Sequence, residues 1–155
     1  MSSVSDRLAE AGHDLPQAAV ALGAYVPAVR SGALVFTSGQ LPMRAGELLA
    51  AGVVGAEVDL DLARVCAERC ALNALAAAAT VCDLDAVERV VKVTGYVASA
   101  AGFTAQPAVV DCASELLVLA FGDRGRHARE AVGVAALPLG APVEVAIVLE
   151  VTSEL

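Results

Sequence analysis

The stretch "HAREAVGVAALPLGAPVEVAIVLEV", from His127 to Val151, decides the fold. Most of it is typical of two apolar strands joined by a turn. Arg129 opens the first strand and Glu144 lies in the second. Burying either charge is unfavourable unless it is paired or holds a ligand. The two residues therefore mark either a functional site or a structural ion pair, in which Arg129 contacts Glu130, Glu144 or a neighbouring subunit.

The second of these strands has two faces of different character, because side chains alternate along a strand. We expect one face to lie under helices, since it consists only of apolar residues: Val143, Val145, Ile147, Leu149 and Val151. The opposite face carries Glu144, Ala146, Val148 and Glu150. That face is too apolar at Ala146 and Val148 for open solvent, so we infer that it packs against other subunits.

Upstream, the pattern predicts a short helix and then a hairpin. The short helix has Ser3 or Ser5 as its N-cap and ends at Gly12. The hairpin turns at Arg30-Ser31-Gly32, where glycine suits a tight turn.

Two long helices flank a central strand. The first helix runs from Asp59 to about Cys82, with Asp59 or Asp61 as its N-cap. The second lies between Phe103 and Gly122 with Pro107 in its first turn. The strand "DAVERVVKVTGYVAS" between them places four valines on one face: Val87, Val91, Val93 and Val97. The fold class is therefore α+β, a mixed sheet with two long helices on one face.

Composition restricts the class of protein. The 155 residues predict a single domain, and 57% of them are hydrophobic, above the roughly 45–50% of a typical soluble domain. The longest nearly apolar run, Ala71–Cys82, is shorter than the roughly 20 residues of a membrane span, and the N-terminus is unlike a signal peptide. We therefore expect a cytoplasmic oligomer without membrane contact. A net charge of −8 and 3% aromatic residues argue against nucleic-acid binding.

Metal and nucleophile motifs are absent from the sequence. Cys66 and Cys70 share a helix face, but no His or further Cys stands at ligand spacing, so core packing is favoured over a metal site. His13 and His127 stand in polar loop contexts, and we expect both to be solvated. No Ser-His-Asp set or phosphate loop is recognisable.

Three ordered blocks resemble one known family. They are "GAYVPAVRSGALVFTSGQLP", "VERVVKVTGYVAS" and "HAREAVGVAALPLGAPVEVAI". They are similar to blocks of the Rid family, also called YjgF and, in older usage, endoribonuclease L-PSP. The resemblance covers about residues 22–151 of a single domain spanning 1–155, which leaves residues 1–21 as an N-terminal extension.

The resemblance implies a chorismate-mutase-like fold and a homotrimer, with the sheets packed inside and the clefts between subunits. Active members hydrolyse reactive 2-imino (enamine) acids to 2-keto acids and ammonia without metal or cofactor. Carried over by position, Arg129 would bind the substrate carboxylate as a bidentate fork. Glu144 would position or activate the attacking water. Tyr25 would line the cleft, and Ser38 and Gly39 would close it.

Departures from the family pattern indicate a divergent subgroup. Family residues around the arginine are replaced by His127, Glu130 and Ala131, and the second glutamate of the last block by Ala146. Strand alternation predicts that Glu130 points away from Arg129, whose strand neighbours Ala131, Gly133 and Ala135 would leave room for a ligand. Two alternatives therefore remain: a trimer that binds small carboxylic acids without turnover, and an endoribonuclease of the L-PSP type.

Overall fold

In a computed structural model that describes residues 2–152, two long helices cover one face of a five-stranded mixed sheet. The predicted α+β class is confirmed. The elements are α1 (Val4–Glu10), β1 (Ala28–Ser31), β2 (Leu34–Thr37), β3 (Met43–Arg44), β4 (Glu47–Leu48), α2 (Leu60–Ala78), β5 (Val87–Ala98), α3 (Gln106–Phe121), β6 (Ala128–Val134) and β7 (Val143–Val151).

The strand order of the sheet is β1-β2-β7-β5-β6. β5 and β6 are parallel and are connected through α3, whereas the other neighbouring pairs are antiparallel. β6 is thus an edge strand beside α3, and β7 lies near the centre of the sheet. The short strands β3 and β4 form a separate hairpin.

The helix limits follow from side-chain caps. The Ser3 hydroxyl accepts from the backbone N–H of Asp6 at 3.1 Å and begins α1, and Asp59 accepts from the N–H of Leu62 at 2.8 Å and begins α2. α2 ends at Ala78, before the predicted limit near Cys82. The Thr80 hydroxyl donates to the carbonyl of Ala77 at 2.7 Å, which competes with continued helical bonding.

The alternation predicted for β7 is confirmed. Its five odd-numbered residues are buried under the helices, whereas the even-numbered ones are half-buried or exposed on the other face. We call this second face the open face of the sheet. The neighbouring strands add further apolar side chains to it: Val29, Leu34, Phe36 and Val132.

The predicted face of β5 is wrong at one position. Val87, Val93 and Val97 are buried, but Val90 replaces Val91 in the core. The pairing of β5 with β7 shifts register between Val87 and Arg89 and again between Val90 and Lys92. A β-bulge inserts an extra residue and reverses the faces beyond it, which strict alternation cannot predict.

Of the four cysteines, Cys66 and Cys70 are buried in α2, and burial raises the pKa of the Cys66 thiol to about 11. Within residues 2–152 no group of three or more His, Cys, Asp or Glu side chains is placed to hold a metal ion. No helix of this part of the chain is long and apolar enough to cross a membrane.

Candidate functional site

Arg129 lies on the edge strand β6 and points toward α3. Its Nη1 donates to Asp111 Oδ1 at 2.7 Å and to Ser114 Oγ at 3.2 Å, and its Nη2 lies 3.5 Å from the carbonyl oxygen of Pro107. The side chain is 23% exposed. Its structural partner is thus an aspartate on α3 rather than Glu130 or Glu144. The guanidinium is fixed through Nη1, and its Nε–Nη2 edge carries only the long contact to Pro107.

His127 extends this network, which corrects the expectation that it is solvated. Its Nδ1 lies 2.6 Å from the carbonyl oxygen of Gly125, and its Nε2 lies 2.9 Å from Ser114 Oγ. Because a carbonyl only accepts, Nδ1 carries the proton and Nε2 accepts from the Ser114 hydroxyl. Burial lowers the pKa of His127, the nearby Arg129 lowers it further, and the Gly125 carbonyl opposes both.

His13 is also half-buried rather than solvated. Its Nδ1 lies 3.9 Å from Glu68 Oε1 on α2. The sequence does not predict the contact of His13 with α2 or that of His127 with α3, because only the fold brings these helices to the two histidines.

Glu130 points to the open face, as alternation predicts. Its Oε1 forms an ion pair with Lys92 Nζ at 3.1 Å, and its neighbour across the strands is Thr94. The carboxylate beside Arg129 in sequence is therefore directed away from it.

The space expected beside the small residues of β6 is partly occupied. Ala131 packs against the core, and a Cβ placed on Gly133 would lie 2.7 Å from Gln106 Nε2. Ala131 and Gly133 therefore face the core and the end of the Gln106 side chain, whereas the Nε–Nη2 edge of Arg129 itself carries no short contact among the described residues.

Glu144 lies on the open face near the centre of the sheet. It is half-buried beside Tyr96 of β5, and burial raises the pKa of its carboxyl group. A Cβ on Gly39 would lie 2.6 Å from Glu144 Oε2, so the carboxylate packs directly against that glycine. Only a residue without a side chain permits this approach.

Tyr25 and Gly39 line one cavity of about 730 Å³, formed by the segment 16–25, the chain after β2 and α2. Ser38 is adjacent, but its hydroxyl donates to the carbonyl of Val26 at 2.7 Å. That bond ties two chain segments together, so the group available in this region is the Gly39 backbone rather than the Ser38 hydroxyl.

The two predicted catalytic residues do not meet within one subunit. Arg129 is aligned with Val93, which is buried under the helices, whereas Glu144 is aligned with Tyr96 on the open face. β5 separates their strands, and the offset along the strands is three residues. Strand spacing places their Cα atoms roughly 14 Å apart, with the side chains on opposite faces.

Asp111 and Ser114 were not predicted from the sequence. They stand three apart in the mostly apolar helix α3 and therefore share a face. Polar residues at that spacing were the available signal for a partner of Arg129.

Comparison with known proteins gives one consistent result. The family model described as "YjgF/chorismate mutase-like, putative endoribonuclease" matches residues 5–151. Protein TCP17 of Trypanosoma cruzi is 41% identical over 152 residues, which is 97% of this chain and 95% of that protein. The crystal structure of Atu1372 from Agrobacterium tumefaciens superposes with a TM-score of 0.88 at 44% identity, covering 96% of this chain and 92% of that one.

A ligand-bound structure is also similar. Escherichia coli TdcF with bound serine matches with a TM-score of 0.61 and 25% identity, covering 88% of this chain and 94% of that chain. The family match extends over nearly the whole described chain and agrees with the observed α+β sheet. The chain therefore belongs to the YjgF/chorismate-mutase-like family.

Proposed function

We propose that this protein hydrolyses reactive 2-imino acids to 2-keto acids and ammonia, without a cofactor, in a cleft between subunits. The observation that carries this proposal is the orientation of the Arg129 guanidinium. Its guanidinium is held in one orientation by Asp111 and Ser114, while the Nε–Nη2 edge remains for a carboxylate. A fixed arginine fork is suited to bidentate carboxylate binding.

Glu144 is the candidate base. Burial raises the pKa of the Glu144 carboxyl group, and such a carboxylate is a better proton acceptor than an exposed glutamate. Glu144 packs against Gly39, which lines the same cavity as Tyr25, and this contact supports a role beside that cavity. A water held there would attack the imine carbon.

Hydrolysis of a protonated imine requires few catalytic groups. Water adds to the C=N bond of the protonated imine, and Glu144 accepts a proton from that water. Glu144 returns this proton to the amino nitrogen of the resulting carbinolamine. The C–N bond then breaks, ammonia leaves, and the hydroxyl proton passes to solvent as the keto group forms. Since a protonated imine is already electrophilic, orientation of the acid and of one water supplies most of the acceleration.

A second copy of the chain would complete the site. Arg129 and Glu144 lie on opposite faces of one sheet, so a shared substrate requires Arg129 from one subunit and Glu144 from another. The open face supports such an assembly, because Val29 and Phe36 are 49% and 40% exposed there. Burial of this apolar face against other sheets would be favourable, and a homotrimer is the arrangement we propose.

The deciding experiment is an imine-trapping assay. An amino-acid oxidase generates 2-imino acids in the presence of semicarbazide, and the protein competes with the trap. We expect the wild-type protein to lower semicarbazone formation, Arg129→Ala to have no effect on it, and Arg126→Ala to behave as wild type. Arg126 is the matched control, since it is exposed and its ion pair within residues 2–152 is with Asp123. Wild-type protein indistinguishable from the blank across several amino acids would disprove the deaminase.

One observation favours a second candidate, a trimer that binds small carboxylic acids without turnover. Asp111 already neutralises Arg129 at 2.7 Å, which weakens its attraction for a substrate. Serine bound to TdcF shows that a related chain holds a small amino acid. Stabilisation by 2-ketobutyrate without any imine turnover would favour this candidate.

The endoribonuclease has less support. A net charge of −8 disfavours contact with a polyanion, and a salt-sensitive RNA shift is not expected. Four free cysteines suit the reducing cytoplasm, which is the location we propose.

A further inference from the structure

The cavity beside Gly39 is lined by an arginine that the proposed reaction does not use. Arg69 of α2 contributes to its wall, together with Asn73 one helical turn further along. Most of the remaining wall is apolar and includes Val20, Leu22, Leu41 and Met43. An arginine in an apolar cavity indicates a ligand with both an anionic and an apolar part.

Arg69 has no acidic partner within residues 2–152. Its Nε donates to the carbonyl oxygen of Met43 at 2.8 Å, but no Asp or Glu of this part of the chain forms an ion pair with it. Partial burial lowers the pKa of Arg69, and the neighbouring Arg44 lowers it further. Two like charges and desolvation make an anion at this position favourable.

The wall around Arg69 is held in place before any ligand binds. Asn73 Nδ2 donates to the carbonyl oxygens of Leu41 and Met43, both at 3.0 Å. Since Met43 also accepts from Arg69, α2 and the chain after β2 form one bonded unit. Such preorganisation lowers the entropic cost of binding.

We propose that Arg69 anchors a site for small carboxylic acids with an unbranched apolar chain. Nη1 and Nη2, left by the Nε bond to Met43, bind the two carboxylate oxygens, and the chain lies against the apolar wall. A phosphate fits less well, because a strongly hydrated dianion is costly to place beside apolar side chains. The site shares its cavity with the proposed function, since Tyr25 and Gly39 line both, but it goes beyond that function because its anchor is a different arginine and no reaction is required.

The test measures binding of octanoate to the full-length protein by calorimetry. We expect Arg69→Gln to weaken the Kd about tenfold or more, as for loss of a charge-assisted hydrogen bond. Arg64→Gln is the matched control, since Arg64 lies on the same helix and also donates to a backbone carbonyl, but outside the cavity. It should leave the Kd unchanged, and octan-1-ol, which lacks the charge, should bind all three proteins alike.

A second measurement uses wild-type protein, so its result does not depend on whether Arg69→Gln folds. In wild-type protein, titration with octanoate should shift the side-chain Nε–Hε resonance of Arg69 in a nitrogen-15 spectrum, whereas acetate should not. Equal octanoate affinity in Arg69→Gln, or no shift of that resonance, would overturn the proposal. Arg129→Ala should retain octanoate binding; if it abolishes binding instead, the acid occupies the proposed deaminase site and the Arg69 site is wrong.

Discussion

At the scale of single residues, the behaviour of Arg129 depends on its neighbours in space. Asp111 fixes the guanidinium, Ser114 bridges it to His127, and Gly125 sets the tautomer of that histidine. A residue expected to bind substrate is thus already held by two side chains of one helix, Asp111 and Ser114 of α3. The balance between orientation and neutralisation by Asp111 determines how well Arg129 binds an anion.

Asp111→Ala should weaken binding of 2-ketobutyrate by about tenfold, because a hydrogen bond to a charged group is lost and Arg129 loses its orientation. Asp111→Asn retains an acceptor oxygen for Nη1 and should bind nearly as wild type. Calorimetric Kd values for both variants check this without reference to turnover. Tighter binding by Asp111→Ala would show that neutralisation, not orientation, is the dominant effect.

The pH dependence of Glu144 follows from its raised pKa. The base acts as the carboxylate, so kcat/KM should fall as the pH drops through a value above 4.5, the ordinary glutamate pKa. A pH-rate profile should show this limb, and Glu144→Gln should lose the activity. A wild-type profile flat down to the ordinary value would contradict the assignment.

The free energy of unfolding should depend on pH through the ionisation of Glu144. Because the folded state favours the protonated form, wild-type stability falls as the pH rises from 4.5 through the raised pKa. Glu144→Gln cannot ionise and should gain on the wild type above this window but not below it. Urea unfolding at fixed protomer concentration on either side of the window measures this difference.

At the scale of elements, α3 is seated by a glycine in β5. A Cβ on Gly95 would overlap Cγ2 of Val110, so the absence of a side chain there sets the distance between helix and sheet. The same helix carries Asp111 and Ser114, and its position therefore fixes the network around Arg129.

Gly95→Ala should lower the free energy of unfolding by about 1–3 kcal/mol, the usual effect of overpacking. Gly95→Ala combined with Val110→Ala should be less destabilised than the sum of the two single changes, because the smaller side chain removes the overlap. Urea denaturation of the four proteins measures the coupling. Additive effects would show that the helix adjusts without contact between these residues.

At the scale of the whole molecule, the open face of the sheet is the feature that a single subunit leaves unexplained. Apolar side chains from four strands lie there beside the Lys92–Glu130 ion pair. Val148 is flanked by Phe36 of β2 on one side and Lys92 of β5 on the other. A contiguous apolar surface of this kind is typical of an interface between subunits.

Phe36→Glu should dissociate the proposed homotrimer, because it places a charge in the middle of the open face. Val65→Glu is the control, since Val65 is 53% exposed but belongs to α2. Light scattering after size exclusion should give the wild-type mass for the control and a monomer for Phe36→Glu. Unchanged mass for both would place the interface elsewhere.

The sequence by itself determined the features that depend on local chemistry. Strict alternation defined the two faces of β7, and Pro107 lay in the first turn of α3. The helix starts were predicted to within two residues, since Ser3 or Ser5 and Asp59 or Asp61 were the candidate caps and the structure has Ser3 and Asp59. Each of these features depends on residues that are close together in the chain, so the sequence pattern alone predicts it. The direction of Glu130 belongs here too, since it follows from alternation alone.

Only the tertiary structure decided the features that join distant segments. Asp111 became the partner of Arg129 because α3 crosses β6, and Val90 replaced Val91 in the core because β5 bulges against β7. Arg129 and Glu144 lie on opposite faces because β5 sets the register of both neighbours. These outcomes depend on pairings between elements far apart in the chain, which residue patterns do not encode.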